Sequence, residues 1–204
     1  MARYPTAEPF LPPARDLNSL AREVEDCRGC DLWERATQAV FGAGPARPDV
    51  MLVGEQPGDR EDVEGKPFVG PAGRLLDDAL EQAGIDRSQT YLTNAVKHFK
   101  WKDGGKRRIH DKPSWSQISA CRPWLEAELQ AVAPRALVLL GATAAQSLLG
   151  KDVRVTRDRG RYPAEQLAGV VVVTIHPSSI LRGEPEEREA GLAALVDDLR
   201  LAAP

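Results

Sequence analysis

Between Phe99 and Ser114 the chain carries Lys100-Trp-Lys-Asp-Gly-Gly-Lys-Arg-Arg-Ile-His-Asp-Lys-Pro113, which sets three consecutive cations beside a single histidine, His110. An imidazole can act near neutral pH as a nucleophile or a proton carrier. The stretch follows an apolar run ending near Val96, so it should leave the carboxyl edge of a sheet, where α/β proteins build ligand sites. A solvated charged loop is the plainer alternative.

A second group of reactive types is soft. Cys27-Arg-Gly-Cys30 brings two thiols close enough to grip one metal or cluster, and the third cysteine, Cys121, comes far along the chain. The pair alone fits a redox couple, half a zinc site or two packed thiols. His98 is a candidate fourth ligand, because imidazole can replace thiolate on iron or zinc.

Two glycine-rich turns and one histidine turn complete the set. Gly54-Glu-Gln-Pro-Gly58 permits a tight turn after a strand, with Glu55 and Gln56 pointing into a cleft. Gly65-Lys-Pro-Phe-Val-Gly-Pro-Ala-Gly-Arg-Leu-Leu76 enters a helix in a manner suited to anions. Phe68 within it is either buried core or a platform for a flat base. Asn94 is either a capping amide or the donor and acceptor pair that reads a base edge. The plain reading of His176 is a residue that satisfies a turn, ahead of a projecting tip of Ile180, Leu181 and Arg182.

These residues need a frame. Four apolar runs, Asp49–Val53, Thr90–Asn94, Ala136–Leu140 and Val170–Thr174, lack alternation and read as strands buried on both faces. Helical patterns over Gly73–Ala83, Ser116–Ala131, Ala142–Leu149 and Glu186–Leu201 lie between and after them. The order predicts an α/β fold, a largely parallel sheet with helices on both sides. No repeat or composition shift marks a second domain. Residues 1–16, with prolines at 5, 9, 12 and 13, are expected to form a poorly ordered lead-in, leaving one domain over 17–204.

A formal net charge of −3 excludes a protein that coats nucleic acid with its whole surface. Any such contact must be local, and Lys97–Lys112 is the strongest candidate. No segment approaches membrane-spanning length. The odd cysteine count and the absence of a secretory signal fit a reducing cytoplasm. A monomer is expected.

In combination and order, Gly54-Glu-Gln-Pro-Gly58, Gly65–Leu76, Leu92-Thr-Asn-Ala-Val-Lys97 and His176-Pro-Ser-Ser-Ile-Leu-Arg182 resemble the motifs of iron-sulfur (family 4) uracil-DNA glycosylases. The resemblance covers nearly the whole chain after Leu17. Where ordinary members carry cysteine after the Val-Lys step this chain has His98, and it adds Lys106-Arg-Arg-Ile-His110. Both departures resemble the UdgX subgroup, whose members become covalently joined to uracil-containing DNA.

The resemblance implies a three-layer α/β/α sandwich and a 4Fe-4S cluster held by Cys27, Cys30, His98 and Cys121. It implies that Phe68 stacks on a flipped uracil, that Asn94 pairs with its N3 and O4 edge beside Gly54, and that His176 and backbone amides near Gln56 stabilise charge on O2. Ser178, Leu181 and Arg182 would border the vacated stack. Lys106, Arg107 and Arg108 would hold the loop against phosphates or against the protein, Arg108 being the first candidate for docking. His110 would capture the sugar C1′, with Glu55, or less favourably Asp59 or Asp62, orienting it or taking its proton. Single-stranded DNA is the expected partner and free uracil the product. Multiple-turnover hydrolysis, a noncatalytic nucleic-acid sensor and a zinc centre are the rival readings.

Overall fold

The structure is a computed structural model that describes residues 4–203. In chain order its elements are α1 (Leu17–Glu23), β1 (Val50–Gly54), α2 (Asp59–Glu64), α3 (Pro71–Ala83), β2 (Thr90–Asn94), β3 (Trp101–Asp103), β4 (Arg108–His110), α4 (Trp115–Val132), β5 (Ala136–Leu140), α5 (Gly141–Leu149), α6 (Val155–Asp158), β6 (Gly160–Arg161), β7 (Val170–Thr174), α7 (Pro177–Leu181) and α8 (Pro185–Arg200). Short 3-10 turns separate several of them.

The main sheet runs β2-β1-β5-β7-β6. Its first four strands are parallel and in register through Leu92, Leu52, Val138 and Val172. They are the four apolar runs. Alternation still sorts the side chains, because successive residues face opposite layers. Val50, Leu52, Leu92, Val138 and Val172 join the core beneath α3 and α8. Met51, Val53, Leu137, Leu139, Val171 and Val173 join the core containing Leu125 and Leu129 of α4 and Ala144 and Ala145 of α5. The sandwich is therefore three-layered. Full burial of each Leu or Val contributes about 1.5–3 kcal/mol relative to exposure.

Helix ends follow local chemistry. Pro71 occupies the first turn of α3, where its missing N–H costs nothing, and Gly84 closes that helix at φ +74°. Ser114 accepts from the Gln117 backbone, and the Gln117 side chain returns the contact, capping α4.

Three expectations change. The sheet has a fifth strand, the two-residue antiparallel edge strand β6, too short to produce an apolar run. The stretch after Phe99 contains an antiparallel hairpin of β3 and β4, with Trp101 opposite His110, and is not simply a loop. From Tyr4 onward the presumed lead-in packs. Ala7 is buried and donates its N–H to Ala120 O at 2.8 Å, and Phe10 leans on the cluster that contains the cysteines. Residues 1–3 of that stretch lie outside the described residues.

One ion pair ties the sheet edge to α4. Lys97 and Glu128 side chains are wholly buried and in direct contact. Lys97 Nζ also donates to Thr93 Oγ1 at 2.7 Å and to Asn94 O at 2.9 Å. Glu128 accepts from Tyr91 Oη at 2.9 Å and from the Gly42 N–H at 3.0 Å. Such a pair offsets its desolvation cost only when every donor and acceptor is satisfied, and removing one partner strands a buried charge. Lys97→Ala is expected to destabilise the fold by about 3–5 kcal/mol, and chemical denaturation checks this. Lys97→Met with Glu128→Leu should cost less than the single change.

Candidate active site

The carboxyl ends of β1 and β2 place Gly54 beside Asn94 in register. Ala95 and Val96 extend the pairing by donating to Gly54 O at 2.9 Å and Glu55 O at 3.0 Å, so the turn after β1 is fixed. Gly54 has a steric role: a Cβ there would collide with Asn94 Oδ1 and come within 2.7 Å of Phe68 Cζ. The three residues meet at a cavity of about 760 Å³, also lined by Glu55, His110, His176 and Arg182. Asn94 is buried by the protein and lines that cavity.

Phe68 has φ +57°, a left-handed conformation uncommon for an aromatic residue. Glu61, buried beneath it, receives the Gly58 N–H and is close to the Gly70 and Phe68 amides. Burial pushes the Glu61 carboxyl up, and those backbone donors oppose the shift. A side chain at Gly73 would strike the Phe68 carbonyl, so glycine there permits the turn. The Phe68 and His176 rings stack, with centroids 6.3 Å apart and an interplanar angle of 27°.

His176 Nδ1 accepts from the Ser178 N–H at 3.1 Å, which leaves its proton on Nε2. Burial, reinforced by the positive charges of His110 and Arg182, lowers its pKa to about 4. The ring is neutral at physiological pH. Ser178 Oγ also accepts from Arg182 at 3.4 Å, and Leu181 stands half-buried in α7 beside the exposed Arg182.

His110 lies at the cavity mouth, its side chain 48% exposed, with Nε2 3.4 Å from Glu55 Oε1. The other carboxylate oxygen of Glu55 receives the Thr143 hydroxyl. Sequence reasoning gave no weight to Thr143, which looks like an ordinary residue of a helical pattern. Gln56 requires a correction. Its side chain does not point into the cleft, because Oε1 accepts from the Lys100 N–H at 3.0 Å while Nε2 donates to Lys100 O at 3.1 Å and Asp111 O at 3.0 Å. All its polar atoms hold the two ends of the hairpin together.

Arg108 likewise faces the protein. It donates to Asp59 Oδ1 and to Asp62 Oδ2, each at 2.6 Å, and its guanidinium lies 5.3 Å from the Phe99 ring centroid. Asp62 also receives both the N–H and the hydroxyl of Thr37. Asp59 and Asp62 therefore anchor the hairpin and are not the groups against His110. Trp101 adds a second anchor, donating from Nε1 to Arg35 O at 2.9 Å. Lys106 and Arg107 sit exposed at the turn, with no ion pair among the described residues.

Away from the cavity, Cys27, Cys30 and Cys121 are buried, unpaired and share one core cluster. Burial pushes the Cys30 thiol up to about 11 and the Cys121 thiol up to about 12. The Lys97 N–H points at Cys121 Sγ, 3.3 Å away, which sets His98 one residue from that sulfur. Burial, aided by the charge of Arg28 between the first two cysteines, lowers His98 to about 4, leaving a neutral imidazole. Among the described residues, no group of three or more His, Cys, Asp or Glu side chains is gathered tightly enough for a single ion. An iron-sulfur cluster asks for a different arrangement, since each donor binds its own iron. The soft, buried donor set fits that chemistry. The indole N–H of Trp124, in the same cluster, is a buried donor without a partner among the described residues.

A cavity at the carboxyl edge of a parallel sheet, with a ring platform, an amide and two imidazoles, defines a ligand-binding α/β protein. The sequence matches the uracil DNA glycosylase superfamily over residues 41–200, and the chain belongs to that superfamily. It is similar to a type-4 uracil-DNA glycosylase of Sulfurisphaera tokodaii, 34% identical over 81% of this chain and 76% of that one. Another, from Pyrobaculum aerophilum, is 35% identical over 82% and 85%. A third, from Thermotoga maritima, is 36% identical over 82% and 84%. The fold resembles the crystal structure of Pedobacter heparinus SMUG2, with TM-score 0.52, 14% identity and coverage of 76% and 74%. Among the described residues no helix is long and apolar enough to cross a membrane.

Arg108 reaches α2 across the hairpin without help from any other cation of the turn. Arg108→Ala is expected to speed amide exchange across Trp101–His110 by roughly tenfold, with the main sheet unchanged. Hydrogen-exchange mass spectrometry of the free protein checks it.

Proposed function

We propose that this protein excises uracil from DNA, preferably from accessible or single-stranded DNA, and that His110 then captures the sugar, leaving the protein covalently attached. The observation that carries the reading is the convergence of Phe68, the Asn94 amide and the neutral His176 on one cavity with His110 at its mouth. The type-4 uracil-DNA glycosylases to which the chain is similar support the same substrate.

A uracil stacked in DNA is out of reach, so the nucleotide must flip into the cavity. Phe68 then stacks on the base. The Asn94 amide pairs with N3–H and O4, where cytosine offers the wrong pattern, and Gly54 leaves room for that contact. The C1′–N1 bond breaks with its electron pair passing to uracil, and charge on O2 is met by the His176 Nε2–H and the Gln56 backbone N–H. The sugar becomes oxocarbenium-like. The ring nitrogen of His110 away from Glu55 donates its lone pair to C1′, and the proton on the other nitrogen passes to Glu55, so the imidazole ends neutral. The uracil anion takes a proton from water as it leaves. Ser178, Leu181 and Arg182 border the space left in the stack, and Lys106 and Arg107 contact phosphates.

Cys27, Cys30, His98 and Cys121 would hold a 4Fe-4S cluster, which supplies a rigid cross-link between the N-terminal segment, α4 and the end of β2. No proton or bond of the reaction depends on it.

A labelled single-stranded oligonucleotide with one uracil, run on a denaturing gel beside a thymine control, tests the reading. A uracil-dependent band that survives heat and detergent is expected, with His110→Ser abolishing the band while uracil release continues. Uracil release without that band from the wild-type chain would favour hydrolysis with turnover. Neither signal would favour a binding role.

The pH response tests His176. With its pKa lowered to about 4, its ring stays neutral as pH falls from about 8 to about 5. Uracil release by His110→Ser is expected to stay level over that range. Single-turnover rates measured across the range check this.

A further inference from the structure

Glu55 can serve His110 only if its carboxylate is held still. It follows β1 on the turn at the cavity wall, and the imidazole it faces is half exposed, so contact with His110 cannot by itself fix the carboxylate. The fixed partner is on the opposite side. Thr143 lies in the first turn of α5, its side chain buried, and its hydroxyl donates to Glu55 Oε2 while Oε1 lies 3.4 Å from His110 Nε2.

We infer that Thr143 is a positioning residue: it fixes one oxygen of Glu55 so that the other is presented to His110, and thereby directs the sugar intermediate to the imidazole rather than to water. The inference rests on the capture reading above and adds a residue to it. The argument is geometric. A carboxylate on a flexible side chain samples several rotamers, and a hydroxyl anchored on a helix selects one. The acceptor is a carboxylate, so the hydroxyl is the donor, and Oε1 is left to receive the imidazole proton. The amino end of α5 adds a favourable dipole for the same charge. Thr143 itself does not line the cavity, so it acts through Glu55.

The experiment compares wild type, Thr143→Val and Thr143→Ser. The first readout is the partition of each turnover between covalent adduct and free abasic strand, with total uracil release measured in parallel. In Thr143→Val the adduct-to-abasic ratio is expected to fall about tenfold, and Thr143→Ser is expected to restore it. General damage to the fold would lower total release and leave the ratio unmoved. An unchanged ratio in Thr143→Val would overturn the inference.

The second readout is independent of capture. Histidine NMR on the free protein, at one fixed pH, follows the His110 ring signals, which report the carboxylate beside them. In Thr143→Val these signals are expected to move toward those of Glu55→Gln, and in Thr143→Ser to match wild type. If wild type releases uracil yet forms no adduct, the capture reading fails, and the ring signals alone decide whether Thr143 presents Glu55. Signals unmoved by Thr143→Val would then sink the inference.

Discussion

The absence of a side chain at residue 54 is the constraint on which the rest of the site depends. Parallel pairing sets Gly54 directly beside Asn94, and a single added carbon would press on both the Asn94 amide and the Phe68 ring. Backbone pairing and cavity shape are thus one problem. The sheet must bring two strand ends within hydrogen-bonding distance, yet the space above that junction must hold an aromatic platform, a polar amide and a ligand. Glycine resolves the conflict at some cost in chain entropy, and the five buried residues of each neighbouring strand, β2 and β5, offset that cost.

A second conflict lies just below. The end of β2 must present a polar amide to the cavity while the backbone behind it stays fixed. Lys97 secures the same segment from behind by donating to the Asn94 carbonyl and bonding to Glu128, and its own N–H faces Cys121. One residue therefore links the strand that ends at the cavity, the long helix α4 and the region of the cysteines. Movement of any one of these would disturb the other two, so a cross-link among the buried sulfurs would stiffen the cavity without contacting it.

The sheet was legible in the sequence because its four main strands are unbroken apolar runs, and the four longer helices because their apolar positions recur at helical spacing. Short elements were not legible. The hairpin around His110 is mostly charged, and β6 is two residues long, so neither carries a periodic signal. At the site, motif order identified Phe68, Asn94, His176 and His110 as candidates, and they share one cavity. It misjudged the Gln56 side chain, whose three hydrogen bonds go to residues more than forty positions away. It also passed over Thr143 and Glu61, since a hydroxyl or carboxylate that positions another residue looks the same in sequence as one that meets solvent. Chain proximity shows which residues are reactive; only the folded geometry shows which are already engaged.

The pleat of the hairpin sets a rule for how this region can vary. Arg108 and His110 are separated by one residue, so they project from the same face, and Ile109 between them projects from the other and is left in solvent. The anchor and the reactive ring are thereby locked in phase. Length can change at the turn that carries Lys106 and Arg107 without altering that phase, whereas one residue gained or lost between anchor and ring would swing the imidazole to the outer surface. Lineages carrying this hairpin should therefore differ freely at its tip and keep a constant count from arginine to histidine.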